Sequence, residues 1–247
     1  MIHVNRFLLA VAVCFSLIPG LAFADEVTDR IAAALVSPER LAEDKDRDAA
    51  RRPVEVISFI GIEAGMSVLD VSAGAGWYSE VLAAAVGPDG RVVAQNNPRF
   101  AERSAPALAV KMARYPNIET IVADTSDYGL DGQMDAAWTA LNFHDQANRS
   151  RENGMQFLTA IYESLKPGGV VAVIDHEGSP RYNNAELHRM EAATAVELLE
   201  AVGFVVEAES DILDNPNDDH SLHMRDESLE RNTDRFLIRA RKPDQGS

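Results

Sequence analysis

The stretch DVSAGAGWYSE, residues 70–80, decides the fold class of this 247-residue chain. It overlaps the apolar run SVLDV (67–71) and leads into a segment with helical periodicity that begins at Trp77. Gly74 and Gly76 permit a tight turn and let a ligand approach the main chain, because glycine has no Cβ. A helix that begins here also presents free N–H groups to the turn. The stretch therefore predicts a ligand-binding turn between a strand and a helix.

Strand-like and helical segments alternate along the rest of the chain, which predicts βαβ units. The expected fold is α/β, with a doubly wound, mostly parallel sheet preceded by N-terminal helices. Two late runs, 204–213 and 234–243, predict a closing strand pair, so the sheet would have seven strands. The other expected strands are 67–71, 91–95, 118–123, 135–141 and 169–175, and the expected helices are 27–36, 38–50, 51–62, 77–86, 99–114, 149–165 and 184–202. The charged run over 38–52 is expected to be the solvated face of a helix.

The first 24 residues have the features of a cleavable signal peptide. A basic start at Arg6 precedes an apolar run, and the triplet AFA at 22–24 has small residues where a signal peptidase cleaves. The apolar run is short for a membrane span. We therefore expect cleavage after Ala24 and a periplasmic or secreted protein with no membrane association. The expected domains are the signal peptide, a helical cap (25–64) and a binding domain (65–247).

The composition limits which reactions and binding partners are expected for the mature chain. The formal net charge is −16, so we expect repulsion from nucleic acid and from anionic lipid surfaces. The only cysteine, Cys14, lies in the predicted signal peptide, which excludes thiol catalysis and an internal disulfide after cleavage. His220 and His223 follow two aspartates in a long loop-like segment, 214–232. We interpret them as solvated loop residues and expect no metal site, because no third ligand of matching spacing follows.

Two classes of ligand use a glycine-rich turn at the end of a first strand. A dinucleotide needs a third small residue where the helix packs on the strand, and that position is occupied here by the bulky Trp77. A nucleoside that carries an amino-acid tail has an ammonium group instead, and Asp70 is placed to pair with it. The second class is therefore favoured.

These motifs resemble those of class I S-adenosylmethionine-dependent methyltransferases of the UbiE-like, small-molecule type, in an exported subgroup. The resemblance covers residues 66–210, where the family's fourth and fifth strands correspond to DGQMDAAW (131–138) and LKPGGVVAVID (165–175). Its first motif, acid-x-Gly-x-Gly-x-Gly, corresponds to DVSAGAG (70–76), with serine in place of the first glycine. The resemblance implies that S-adenosyl-L-methionine is the cofactor, bound by Asp70, Ser72, Gly74, Gly76, Asn96, Asp124 and Asn142.

The resemblance also implies individual roles for three of these residues. Asp70 would hold the ammonium group of the cofactor, and Asp124, after the third strand, would face the adenine amino group. Asn96 stands where the family has an acid for the ribose hydroxyls. Because charge-assisted hydrogen bonds are about twice as strong as neutral ones, we expect weaker cofactor binding than is typical of the family.

Two histidines are candidates for catalysis at the ends of the fourth and fifth strands. His144 follows the fourth strand and His176 the fifth, so both are expected at one pocket that holds a small-molecule acceptor. We expect His144 to remove the acceptor's proton, oriented by Asn142 or Asp145, and His176 to contribute mainly to acceptor binding.

Three functions are compatible with the sequence. The first is methyl transfer to a small molecule outside the cytoplasm. The second is an exported, non-catalytic binding protein that kept the fold and a nucleoside-like pocket. The third, a nicotinamide-dependent oxidoreductase, is disfavoured by Trp77. A cofactor found bound in the purified protein would discriminate between the first two.

Overall fold

The structure, a computed structural model, describes residues 19–244. Most of the predicted signal peptide, residues 1–18, lies outside the described residues, so the predicted cleavage remains a prediction. The first helix, α1, spans Pro19–Val36 and starts eight residues before the position expected from the sequence. Within the described residues, no helix combines the length and the apolar character that crossing a membrane requires.

One seven-stranded sheet forms the centre of the described residues, in the order β3-β2-β1-β4-β5-β7-β6. β7 runs antiparallel to both of its neighbours, and the remaining pairs are parallel. The α/β prediction, with a mostly parallel sheet and a closing strand pair, is confirmed. The strands are β1 (Ser67–Val71), β2 (Arg91–Asn96), β3 (Ile118–Val122), β4 (Met134–Ala140), β5 (Leu165–His176), β6 (Val205–Ser210) and β7 (Arg235–Arg241).

Nine further helices follow α1 within residues 19–244 and cover both faces of the sheet. Successive residues of β1 point to opposite faces, so Val68 packs with α1, α4 and α5, while Leu69 packs with α8 and α10. These helices are α2 (Ala42–Lys45), α3 (Asp48–Arg51), α4 (Pro53–Ile60), α5 (Trp77–Val86), α6 (Pro98–Arg114), α7 (Phe143–Ala147), α8 (Arg151–Ser164), α9 (Asn184–Leu187) and α10 (Ala192–Val202).

The helix expected over residues 38–50 is wrong, because this charged run is not a solvated helical face. It forms only α2 and α3, each of four residues. Arg40 turns inward and donates from Nε to Glu80 of α5 over 2.9 Å, and both side chains are fully buried. The indole N–H of Trp77 donates to the carbonyl of Asp44 over 2.9 Å. Trp77, too large for a dinucleotide turn, thus anchors the N-terminal segment over the glycine-rich turn.

The helix expected over 149–165 is observed as α8, which begins after α7 and a turn at Asn148–Ser150 and ends where β5 starts at Leu165. One other expected helix is interrupted. The segment expected over 184–202 breaks between α9 and α10, because His188 adopts a left-handed φ of 51° and Met190 bridges to Glu177. This break carries His188 toward the ends of β4 and β5.

Candidate active site

The two glycines of the glycine-rich turn differ in the space around them: one has free space beside its backbone, and the other is packed against a side chain. Gly74 has a φ of 58°, and a Cβ there would come no closer than 4.0 Å to another atom. Gly76 has a φ of 79°, and a Cβ there would lie 2.5 Å from a side-chain carbon of Leu108 in α6. Gly74 therefore leaves its backbone open to a ligand, whereas Gly76 is needed for the packing of the turn. Ser72 holds a left-handed φ of 53° at the position where glycine is usual in the motif.

Two amide side chains at the end of β2 hold this turn in place. The N–H of Ser72 donates to Oε1 of Gln95 over 2.8 Å, and the N–H of Gly74 donates to Oδ1 of Asn96 over 2.9 Å. Asn96 also donates from Nδ2 to the carbonyl of Gly74 over 3.1 Å. The side chain of Asn96 thus supports the turn, and its expected contact with the ribose stays a prediction. Gln95 was missed, although a polar residue in a buried strand was a signal.

Asp70 is a buried carboxyl group at the end of β1. The Ser79 hydroxyl donates to its Oδ2 over 2.6 Å. Burial raises the pKa of Asp70 to about 7, although this hydrogen bond and the charge of Arg51 act in the opposite direction. The raised pKa means that no nearby cation fully compensates the ionised carboxylate for its burial. A bound ammonium group would provide that compensation.

Arg51, at the end of α3, is a cation without a carboxylate partner within the described residues. Its guanidinium carbon lies 4.5 Å from the ring centre of Trp77 and 5.1 Å from that of Tyr78. Burial lowers the pKa of Arg51 to about 10. Arg51 was not predicted from the sequence, because the charged run around it gives no sign that one arginine faces a pocket.

These residues fit the expected cofactor at its amino-acid tail. The tail of S-adenosylmethionine carries an ammonium and a carboxylate, which complement the under-compensated charges of Asp70 and Arg51. The open backbone at Gly74 leaves space for the same ligand. Asp70, Arg51 and the turn would therefore hold the tail.

Two further predicted binding residues lie around the turn. Asn142 donates from Nδ2 to the carbonyl of Ala140 over 2.7 Å and reaches the carbonyl of Ser72 at 3.5 Å. Asp124 is exposed after β3 and accepts from Nδ2 of Asn97 over 3.1 Å. The structure thus brings Asn142 to the turn and places Asp124 past the end of β2, but their contacts with the cofactor stay predictions.

Asp175 joins the two predicted catalytic histidines. Its carboxylate accepts from Nδ1 of His144 over 2.7 Å, and it also accepts from the backbone N–H groups of His144 and His176 over 2.8 Å each. The two rings lie 5.6 Å apart between centres. The histidines therefore converge as expected, but Asp175 orients His144, where Asn142 or Asp145 was expected to do so.

The environments of the two histidines differ. Burial lowers the pKa of His144, but the charge and hydrogen bond of Asp175 outweigh it, so the pKa of His144 is raised overall. Burial and the charge of Arg235 hold the pKa of His176 well below the ordinary value. Nδ1 of His176 lies 2.6 Å from Oγ1 of Thr233.

A cavity of about 720 Å³ opens at the ends of β4 and β5. His176 lines it, whereas His144 is buried behind His176. Two inner cations, Arg51 and Arg235, face a rim that includes exposed acids of the loop between β6 and β7. The catalytic roles of the histidines stay predictions. The lining residues are Asp46, Arg47, Ala50, Arg51, Leu141, His176, Met224, Arg225, Asp226, Glu227, Glu230, Arg231 and Arg235.

Solved structures share this fold at low sequence identity. An S-adenosylmethionine-dependent methyltransferase from Aquifex aeolicus is 21% identical with a TM-score of 0.61, covering 87% of this chain and 98% of its own. The 1,6-didemethyltoxoflavin-N1-methyltransferase of Burkholderia thailandensis is 18% identical, with a TM-score of 0.57. The match covers 95% of this chain and 94% of the Burkholderia chain. The [4+2]-cyclase SpnF is 16% identical, with a TM-score of 0.62. The match covers 89% of this chain and 94% of the SpnF chain. These likenesses show the fold, which hosts more than one chemistry.

The family is shown by the sequence itself. No curated protein matches the chain. The family model described as protein-L-isoaspartate(D-aspartate) O-methyltransferase matches residues 37–206, which include the glycine-rich turn, both histidines and Arg51. The cofactor predicted from the motifs, S-adenosylmethionine, is confirmed. The chain belongs to the protein-L-isoaspartate(D-aspartate) O-methyltransferase family and is an S-adenosylmethionine-dependent methyltransferase.

Proposed function

We propose that this enzyme transfers the methyl group to a carboxylate of a small molecule bound in the cavity at the ends of β4 and β5, outside the cytoplasm. The observation that carries the proposal is the pair of inner cations, Arg51 and Arg235, in a cavity of about 720 Å³. That size falls within the range of roughly 300–1,000 Å³ that is usual for small-ligand sites.

We assign one of the two cations to the cofactor and the other to the acceptor. Arg51 stacks on Trp77 and Tyr78, beside the turn, so it suits the carboxylate of the cofactor. Arg235 lies next to His176, because both side chains contact the Thr233 hydroxyl, and it also donates to the backbone carbonyls of Ala50 and Arg231. Burial lowers the pKa of Arg235, so an anion beside it would relieve the cost of its desolvation.

A carboxylate acceptor suits this arrangement chemically. The cofactor supplies a methyl group that is already activated on a sulfonium. A carboxylate is anionic at neutral pH, so the protein has to position the acceptor and no proton must first be removed. The family's description names an acceptor that is also a carboxyl group. The Burkholderia methyltransferase is described with a small-molecule substrate bound, which supports a small acceptor here by likeness of fold.

The location outside the cytoplasm rests on the predicted signal peptide. Its test is the N-terminus of the protein isolated from the cell envelope, which we expect to be Asp25. Soluble cytoplasmic protein that still begins at Met1 would exclude this part of the proposal.

The acceptor is tested with labelled S-adenosylmethionine, the full chain, a pool of small carboxylic acids, and an isoaspartyl peptide in a separate reaction. We expect label in a small molecule, released as volatile methanol by mild alkali, because methyl esters hydrolyse in base. Label that resists alkali would overturn the carboxylate assignment. Label in the peptide alone would overturn the small-molecule assignment.

Variants at the two cations sharpen the test. We expect Arg51→Met to weaken cofactor binding about 10- to 100-fold, the equivalent of a charged hydrogen bond of about 1.5–3 kcal/mol. Arg51→Lys, which keeps the charge, is the matched control. Arg235→Lys should raise the KM of the acceptor and leave cofactor affinity within a few-fold of wild type. A loss of cofactor binding in Arg235→Lys, with the fold intact by circular dichroism, would contradict this division.

A further inference from the structure

Two histidines and one carboxylate converge beside the cavity, outside the residues assigned to the cofactor. His144 and Asp145 come from α7, and His188 comes from the break between α9 and α10. One possible ligand atom from each lies within 4.8 Å of the others. The sequence did not predict this set, because His188 is more than forty residues away from the other two in the chain.

His144 has an unused nitrogen aimed into this cluster. Its side chain is 1% exposed, and within residues 19–244 its Nε2 has no hydrogen-bond partner. Oδ1 of Asp145 lies 3.5 Å from this nitrogen, without the geometry of a hydrogen bond. A buried imidazole nitrogen without a partner is costly, and a bound ligand would remove that cost.

The spacing of the three atoms suits one metal ion. Zinc binds imidazole nitrogen at about 2.0–2.1 Å and carboxylate oxygen at similar lengths, so tetrahedral ligand atoms stand about 3.4 Å apart. Oδ1 of Asp145 lies 3.5 Å from Nε2 of His144 and 3.0 Å from Nδ1 of His188. Both separations are close to that edge length.

The surroundings also match those of metal-binding histidines. Such a histidine usually donates its other N–H to a carboxylate, which fixes the tautomer. Asp175 accepts from Nδ1 of His144 over 2.7 Å and thus directs Nε2 toward Asp145 and His188. His188 is held with a left-handed φ of 51°, a strained conformation of the kind found at functional sites. The His223 ring lies 5.1 Å from the His188 ring.

We propose that His144 Nε2, Asp145 Oδ1 and His188 Nδ1 form a site for a divalent transition metal of the zinc type, with a fourth position open. Imidazole ligands favour zinc, iron, nickel and copper over magnesium and calcium. Three protein ligands with an open position are typical of sites that also bind water or substrate. The ring of His176, which lines the cavity, lies 5.6 Å from the ring of His144. Metal on Nε2 of His144 would occupy the nitrogen that a proton-accepting role requires.

The test is direct metal binding to the full chain, prepared without a polyhistidine tag and stripped with a chelator. Zn²⁺ is titrated by calorimetry, and Co²⁺ is followed by visible absorption, without methyl donor or acceptor. We expect one Zn²⁺ per chain and the intense visible bands of four-coordinate cobalt. His188→Ala and Asp145→Ala should each weaken binding at least about 10-fold, the effect that even an outer-shell substitution produces.

Both variants are suited to the test, because the side chains of His188 and Asp145 are 39% and 50% exposed and their loss should leave the fold intact. The matched control is His220→Ala. His220 is also a partly buried histidine next to a carboxylate, with Nε2 2.8 Å from Asp234, but lies outside the cluster. We expect wild-type affinity in this control. No Zn²⁺ binding by wild type, or equal affinity in wild type and His188→Ala, would overturn the site whatever the acceptor proves to be.

Discussion

Glu80 and Asp70 are two buried carboxyl groups at opposite ends of the glycine-rich turn, and the protein treats them differently. Glu80, 1% exposed, accepts from Arg40 over 2.9 Å and also pairs with Arg114. Asp70, 2% exposed, accepts from the hydroxyl of Ser79 and has no ion-pair partner within the described residues. Both side chains are equally buried, so the contrast comes from their partners and not from depth.

The difference separates a stabilising region from a binding region. A buried carboxylate with its cations in place is compensated in the free protein, and removal of one partner leaves an uncompensated charge. A buried carboxylate without a cation is compensated only when a ligand arrives. The ion pairs around Glu80 therefore fix the N-terminal segment, whereas the Asp70 carboxylate stays uncompensated until the ammonium group of the cofactor binds.

The largest effect is expected at Glu80. Glu80→Ala leaves the guanidinium of Arg40 buried with Asp48 as its remaining partner, so we expect the free energy of unfolding to fall by about 3–5 kcal/mol. Chemical denaturation measures this loss. The control is Glu55→Ala, whose partner Arg52 is 48% exposed, and which should cost less than about 1 kcal/mol. Equal losses in the two variants would show that the buried ion pair of Glu80 stabilises the fold no more than an exposed one.

Asp70→Asn should have opposite effects on stability and on binding. Burial raises the pKa of Asp70 from 3.8 to about 7, so its contribution to stability is full below 3.8 and is lost as pH rises through 7. Without cofactor, the variant should therefore be more stable than wild type at pH 8, by at least about 1 kcal/mol. This follows because each pKa unit corresponds to about 1.4 kcal/mol. The advantage should vanish near pH 4.

The same variant should lose cofactor affinity by about 10- to 100-fold at pH 8, because the neutral amide cannot pair with the ammonium group. Thermal melts across pH and calorimetric titration with S-adenosylmethionine measure the two effects. Wild-type cofactor affinity in Asp70→Asn would show that Asp70 is not the ammonium partner, whatever happens to stability.

The smallest effect is expected at Ser72. Its φ of 53° is a left-handed conformation that costs a residue with a Cβ about 1–2 kcal/mol and glycine little. Ser72→Gly should therefore raise the free energy of unfolding by about 1 kcal/mol or less, since the more flexible unfolded glycine offsets part of the gain. Cofactor affinity should stay within a few-fold, because the backbone N–H bonded to Gln95 is retained. A destabilised Ser72→Gly would indicate that the serine hydroxyl has a stabilising role.

Local patterns predicted much of the fold and part of the site. β1 and α5 lie at the predicted residues, and the alternation of apolar runs predicted both the mostly parallel sheet and its closing strand pair. The charged run at 38–52 was misread, because hydropathy cannot tell a solvated arginine from Arg40 in a buried pair. Asn96 was placed by analogy to an acid, but its amide completes the hydrogen bonds of the neighbouring Gly74.

The sequence by itself determined the succession of strands and helices along the chain, the glycine-rich turn and the class of cofactor. These features depend on turn glycines and apolar periodicity, which are patterns among residues close together in the chain. Only the tertiary structure decided which charges are compensated and which rings meet. Arg40 reaches Glu80 across 40 residues, and His188 approaches His144 only because the chain breaks between α9 and α10. Such contacts depend on long-range packing of the sheet and its helices, and no local pattern encodes them.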